Sequence, residues 1–268
     1  MITTLGTILS EASDLPVYVR RTASGFSTQQ LLRPNGVMGF CESVCGEEES
    51  SGETIKLDKL QQVSKTLLSV PAKMAPKVRP FLSDHQPNSS SEQDYYEKVT
   101  PRIIQLLSEK VPVSYRKIAS FTLSQMLGSD SSFQHRTEAA PVVYSNLHLP
   151  FSKVSSDDSP STDPANAILP STALSRLLSL VANCDPSPEL ISNLLTPVIA
   201  PLYSLFYHLG TQKAADPVLK ESVQGLLLTW GKIVEGSKAV ALFWELIQHG
   251  QPQYWSISLD GTVRLISR

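Results

Sequence analysis

Cys41 and Cys45 stand four residues apart, a spacing that sets two thiols on one face of a helix and could begin a metal site. Zinc takes four ligands, however, and no histidine or second cysteine pair follows at a suitable spacing. The pair therefore reads as small core residues, the usual role of an unreactive thiol. The five histidines, His85, His135, His148, His208 and His249, are scattered among loops and helix ends without an H-E-x-x-H arrangement. Each is expected to be a satisfied or exposed imidazole. The sequence has no G-x-S-x-G elbow, no phosphate-cradling Walker loop and no dinucleotide fingerprint, and one serine among so many identifies no nucleophile. No residue is assigned a catalytic, cofactor-binding or metal-ligating role, no cofactor is expected, and the chain is not expected to be an enzyme.

The charged residues point the same way. Glu47, Glu48 and Glu49 could meet a basic partner or a divalent cation, but such a run is more often a solvated loop. Lys98 and Arg102, with Arg116 and Lys117 on the next segment, read as a mildly basic solvated face. A net charge of -2 and a pI near 6.2 argue against a nucleic-acid partner, which calls for a strongly basic face. What remains is recognition by shape. Tyr203, Tyr207, Trp230, Phe243 and Trp244 are the aromatic residues from which a protein-binding anchor could be drawn, with core packing as the competing role of each.

The elements that must position these residues are helical. With 41% hydrophobic and 18% charged residues in a chain of 268, one large domain or two smaller ones are expected. Leu57, Leu60, Val63, Leu67 and Leu68 follow a three-and-four spacing. So do Ile103, Ile104, Leu106 and Leu107; Ile118, Phe121, Leu123 and Leu127; and Leu219, Val223, Leu226, Leu227, Trp230 and Val234. Ser187 before Pro188 and Asp216 before Pro217 predict helix starts. Asp260-Gly261 predicts a hairpin turn in a tail that partly alternates.

The helices pair off as 36–45 with 57–70, 94–108 with 114–128, 172–184 with 188–210, and 215–235 with 238–249. The expected fold is all-α, a HEAT- or armadillo-like α-solenoid of antiparallel helix pairs with a small C-terminal β-hairpin. Residues 1–151 form N-terminal repeats with polar loops at 46–54 and 83–93. Residues 152–170 form a flexible linker, too poor in apolar mass to offset the entropy of ordering it. Residues 171–268 form a second repeat region with a kinked helix over 188–210.

That kinked helix raises a membrane question. Leu190 to Gln212 carries no Asp, Glu, Lys or Arg, and about 20 apolar residues suffice to span a bilayer. Two prolines, Pro197 and Pro201, argue for a bend, since each interior proline costs about 3 kcal/mol in a straight helix. Asn193, Thr196, Ala200, Tyr203 and Tyr207 recur as a polar or small stripe, opposite Ile191, Leu194, Leu195, Val198, Leu202, Leu205 and Leu209. A buried, bent helix is the expectation, with its polar stripe covered by a neighbouring hairpin. The first residues lack the basic start of a signal peptide, and three cysteines leave at least one thiol unpaired, so a reducing, cytosolic setting is expected. In that setting the glycosylation triplet Asn88-Ser89-Ser90 has no use.

Four stretches carry more than periodicity: "GVMGFCESVCGEEESSGETIKLDKLQQVSKTLLSVPAKM", "YRKIASFTLSQML", "DPSPELISNLLTPVIAPLYSLFYHL" and "ADPVLKESVQGLLLTWGKIV". Together, from about Gly36 to Val234, they resemble the transport and Golgi organisation protein 6 family, whose fungal members are required for nuclear transport of RNA polymerase II. The resemblance implies a cytosolic HEAT-type solenoid without catalysis. It would act as an adaptor in the cytoplasmic assembly and nuclear import of RNA polymerase II, with a link to protein secretion and Golgi organisation. Its implied partners are polymerase subunits, assembly chaperones or nuclear transport factors, and its implied locations the cytoplasm and the nucleus. The chain is shorter than members of that family, which makes it read as a fragment or a truncated gene product. The alternative is a membrane-associated trafficking component anchored by the uncharged helix 190–212.

Overall fold

The computed structural model describes residues 16, 25–26, 28–51, 57–69, 91–128, 135–152, 169–184, 187–212, 216–249, 254–257 and 263–266. The chain divides into two compact units, Met1–Val143 and Tyr144–Arg268. Of the expected linker 152–170, residues 153–168 lie outside the described residues while Ser152 and Pro170 belong to helices; of the expected loop 83–93, residues 83–90 lie outside and 91–93 are helical; the Asp260-Gly261 turn also lies outside.

The first unit contains α1 (Gly36–Ser51), α2 (Leu57–Leu68), α3 (Ser91–Gln105), α4 (Val113–Leu127) and the start of α5 (Arg136–Ser152). Both expected pairs, α1 with α2 and α3 with α4, are in contact, and α4 also packs against α1 and α2. This central position explains why α4 buries Tyr115, Ile118, Ala119, Thr122, Leu123, Met126 and Leu127 on more than one face. The end of α2 leaves carbonyls without helical donors. Two tyrosines of α3 supply them: the Tyr95 hydroxyl donates to the Leu67 carbonyl at 2.9 Å and the Tyr96 hydroxyl to that of Leu68 at 3.0 Å. Burial pushes the Tyr95 phenol above its ordinary range.

Two details differ from the sequence reading. Residues 46–51, expected as loop, continue α1 as helix, because glutamate is a good helix former and one interior glycine costs only about 1 kcal/mol. Arg136–Ser152 is a helix that the sequence reading did not assign. Its Pro141 and Pro150 mask a plain signal, the buried stripe of Ala139, Val143, Leu147 and Phe151 at every fourth position.

The second unit contains the end of α5, then α6 (Pro170–Asn183), α7 (Pro188–Leu195), a 3-10 turn at Thr196–Val198, α8 (Ile199–Thr211), α9 (Pro217–Ile233) and α10 (Gly236–His249). Here α9 is central, packing on α6, α7 and α8. Both predicted starts hold. The Asp216 carboxylate accepts from the Val218 N–H at 2.9 Å, whereas at Ser187 the backbone carbonyl accepts from Ile191 and the hydroxyl does not cap. The chain closes with antiparallel β1 (Tyr254–Ile257) and β2 (Val263–Ile266), in which Trp255 pairs with Leu265 and both are buried. β1 packs on α8 and β2 on α6. The architecture is thus the expected armadillo-like, all-α one with a small C-terminal β-hairpin.

Candidate interaction surface

The uncharged run from Leu190 is bent where its prolines require it. A proline has no N–H to give to the carbonyl four residues earlier, and its ring crowds that carbonyl. At Pro197 the chain passes from α7 into the 3-10 turn, and Val198 sits at φ -107°, ψ 1° before α8 resumes. Pro201 falls in the first turn of α8, where a missing N–H costs least. The apolar face of the amphipathic reading is buried as expected, and the polar face is not covered. Ile191, Leu194, Leu195, Val198, Leu202, Leu205 and Leu209 are buried, whereas Asn193, Tyr203 and Tyr207 are exposed.

Two side chains hold the break. A 3-10 turn bonds three residues back rather than four, so the Leu194 carbonyl, which an unbroken helix would pair with Val198, is taken by His148 Nε2 of α5 at 2.8 Å. The carbonyl accepts, so this nitrogen carries the proton. The ring also stacks on Tyr144, with centroids 5.4 Å apart. Burial lowers the His148 pKa, and the bond to Leu194 opposes that shift. From the other side, Trp230 of α9, only 1% exposed, donates its indole N–H to Thr196 Oγ1 at 3.0 Å. Phe243 of α10 meets Trp230 edge-on at 5.7 Å and meets Tyr203 edge-on at 5.7 Å.

The five aromatic candidates therefore separate. Trp230 is core and Phe243 half-buried, while Tyr203, Tyr207 and Trp244 are 40%, 69% and 60% exposed. The tyrosine stripe of α8, expected under a neighbouring hairpin, is open beyond its contact with Phe243. Sequence reasoning missed Val240 and Ile247, which share the exposed side of α10 with Trp244 and could have been found by the spacing of these three residues.

The remaining candidates are structural. Cys41 and Cys45 are fully buried in α1, and burial, with Cys45 alongside, pushes the Cys41 thiol up to about 12. Among the described residues no group of His, Cys, Asp and Glu could hold a metal ion. Glu47, Glu48 and Glu49 lie in the last turns of α1, where only the backbone is described. His135 packs beside Tyr96, His208 is half-buried with its pKa lowered by burial, and His85 and Asn88 lie outside the described residues. The basic face is only partly solvated. Lys98 is exposed, but Arg102, Arg116 and Lys117 are half-buried, and Arg102 donates to the Leu31 carbonyl at 3.4 Å, because their long apolar stems cover the helices beneath.

One stretch among the described residues, Pro188–Thr211, is long and apolar enough to cross a membrane by length and composition, and half of its most apolar window is buried inside the protein.

The chain matches the family model described as Transport and Golgi organization protein 6 homolog, ARM-like repeat, over residues 31–262. No curated protein and no solved structure matches it. That match takes in the broken helix, its Trp230 and His148 anchors, and the whole of α10. The protein belongs to the Transport and Golgi organization protein 6 homolog family, as an ARM-like helical-repeat member.

Proposed function

We propose that the protein is a non-enzymatic adaptor, cytoplasmic and in part nuclear, that binds protein partners during the assembly and nuclear import of RNA polymerase II, with a further link to protein secretion and Golgi organisation. Family membership supports a helical-repeat protein of transport and Golgi organisation. The polymerase role rests on the sequence resemblance.

The observation that carries the reading is the open tyrosine stripe of α8. Tyr203 and Tyr207 lie one turn apart on a segment without charge, held by the break at Thr196–Val198. Tyrosine joins a large apolar ring to one hydrogen-bonding end and is enriched among residues that dominate interface energies. Affinity capture from cells, followed by mass spectrometry, tests the proposal. Polymerase subunits, their assembly chaperones or nuclear transport factors are expected in the eluate. Their absence, with a longer family member as a positive control, would overturn it.

A second reading is a membrane-associated trafficking component anchored by residues 190–212, favoured by the length and apolarity of that stretch. It would require Leu194, Leu202 and Leu205 to leave the protein interior in which they are buried. Extraction at alkaline pH separates the readings: protein retained in the membrane pellet supports the anchor, and protein released to the supernatant supports the adaptor.

A further inference from the structure

The exposed side of α10 presents a second uncharged surface. Seven residues, Gly236, Ser237, Val240, Ala241, Trp244, Ile247 and Gln248, are exposed and fall on one arc of the helix. None is charged. Val240, Trp244 and Ile247 stand out with 69%, 60% and 69% exposure, and together they offer water on the order of 400 Å² of largely apolar surface, the size of a functional patch rather than of scattered apolar residues. The arc is graded: its N-terminal half is small and its C-terminal half is large. At Gly236 a Cβ would meet nothing within 4 Å, so there is open space above the small end.

We infer that this face of α10 docks on the same face of a second copy of the chain, the two helices running antiparallel about a two-fold axis near Leu242. An isologous contact opposes a surface to itself. In the antiparallel sense the large half of one helix lies over the small half of the other: Trp244 over Val240, and Ile247 over Ser237 and the open space at Gly236. A parallel pairing would set Trp244 against Trp244.

Neutrality favours the same occupant, because a charged face would repel its own copy. Lys238 and Glu245 lie on one edge beyond the arc, and antiparallel pairing sets Glu245 of one copy near the Lys238–Glu235 pair of the other, whose Glu235 also accepts from Ser237. A lipid surface fits less well. Helices that lie on membranes commonly carry cations flanking the apolar face, whereas Lys238, the only cation described on α10, is 3.6 Å from Glu235. The area is below the roughly 800 Å² per partner of a standard stable interface, so the dimer is weak and concentration-dependent. Tyr203 and Tyr207 are not needed for it.

Sedimentation velocity of the full chain from about 1 to 200 μM is expected to show the mass rising from 29.3 kDa towards twice that value. Trp244→Glu should hold the chain at the monomer mass, and Leu228→Glu, on an exposed site of α9, should leave association unchanged, with far-UV circular dichroism showing both variants folded. Register is read by cross-linking. Ala241→Cys, next to the axis, should form a disulfide-linked dimer under mild oxidation that the unsubstituted chain does not form. Gly236→Cys and Gln248→Cys should cross-link to each other when mixed and only weakly to themselves. A chain that stays monomeric throughout would overturn the inference, as would a dimer indifferent to Trp244→Glu, equal self-cross-linking at all three sites, or association only with phosphatidylcholine vesicles.

Discussion

Replacing Trp230 is the sharpest perturbation of the platform on which the tyrosine stripe rests. The indole is buried, its N–H reaches the Thr196 hydroxyl at the helix break, and its ring supports Phe243. Trp230→Ala removes the largest fully buried side chain and should cost about 3–5 kcal/mol, the range for deleting a core aromatic ring, a large share of the roughly 5–15 kcal/mol that folded proteins hold. Trp230→Phe keeps most of the packing and loses the hydrogen bond. Because Thr196 is half-buried and water can partly replace the indole, that bond should be worth about 0.5–1.5 kcal/mol. The assay is urea unfolding followed by far-UV circular dichroism, with the transition of the second unit fitted separately if the two units unfold apart. A double-mutant cycle of Trp230→Phe with Thr196→Val should return a coupling of about 1 kcal/mol. A coupling indistinguishable from zero, or a Trp230→Ala cost below about 1 kcal/mol, would refute the assignment of Trp230 as one of the two residues that hold the bend.

Three further outcomes follow from the geometry. His148 has a pKa lowered by burial, so the folded state takes up fewer protons than an unfolded chain whose imidazole titrates near about 6.5. Its stability contribution is full above that pH and is lost as the pH falls towards the folded pKa. His208 shifts in the same direction. Unfolding at pH 7.5 and 5.5 should therefore show stability falling on acidification, and His148→Gln, whose amide can still donate to Leu194, should reduce the slope; an unchanged slope would contradict this. Tyr95→Phe leaves the Leu67 carbonyl without its donor and should cost about 1–3 kcal/mol, measurable as a lower urea midpoint at constant slope. Thiol titration of the native chain should modify Cys184, which is half-buried, well before Cys41 and Cys45, which should react only on unfolding; equal rates at all three sites would contradict the packing of α1.

Much of this was legible in the sequence because the period of the apolar residues is a direct image of burial. The stripe from Ile191 to Leu209 is buried as the spacing predicts, and the bend sits at Pro197, where the missing N–H demands it. Asp216 caps its helix as a carboxylate before Pro217 should. Other features depend on partners distant in sequence. Nothing local distinguishes His148 from His208, and only the fold brings His148 to the carbonyl released at Leu194. Helix α5 was hidden by Pro141 and Pro150, although its buried stripe repeats at every fourth residue. The open faces of α8 and α10 were the hardest to foresee, since an apolar residue at helical spacing carries no mark of whether a neighbour covers it.

The proposed role of α8 as a protein-binding surface is tested most directly by placing a photo-activated cross-linking residue at position 207, in living cells, with position 232 on the exposed side of α9 as the control. Covalent adducts are expected at 207, and not at 232, to polymerase II subunits, assembly chaperones or nuclear transport factors. No protein adduct at 207, or an adduct to phospholipid in place of protein, would contradict it.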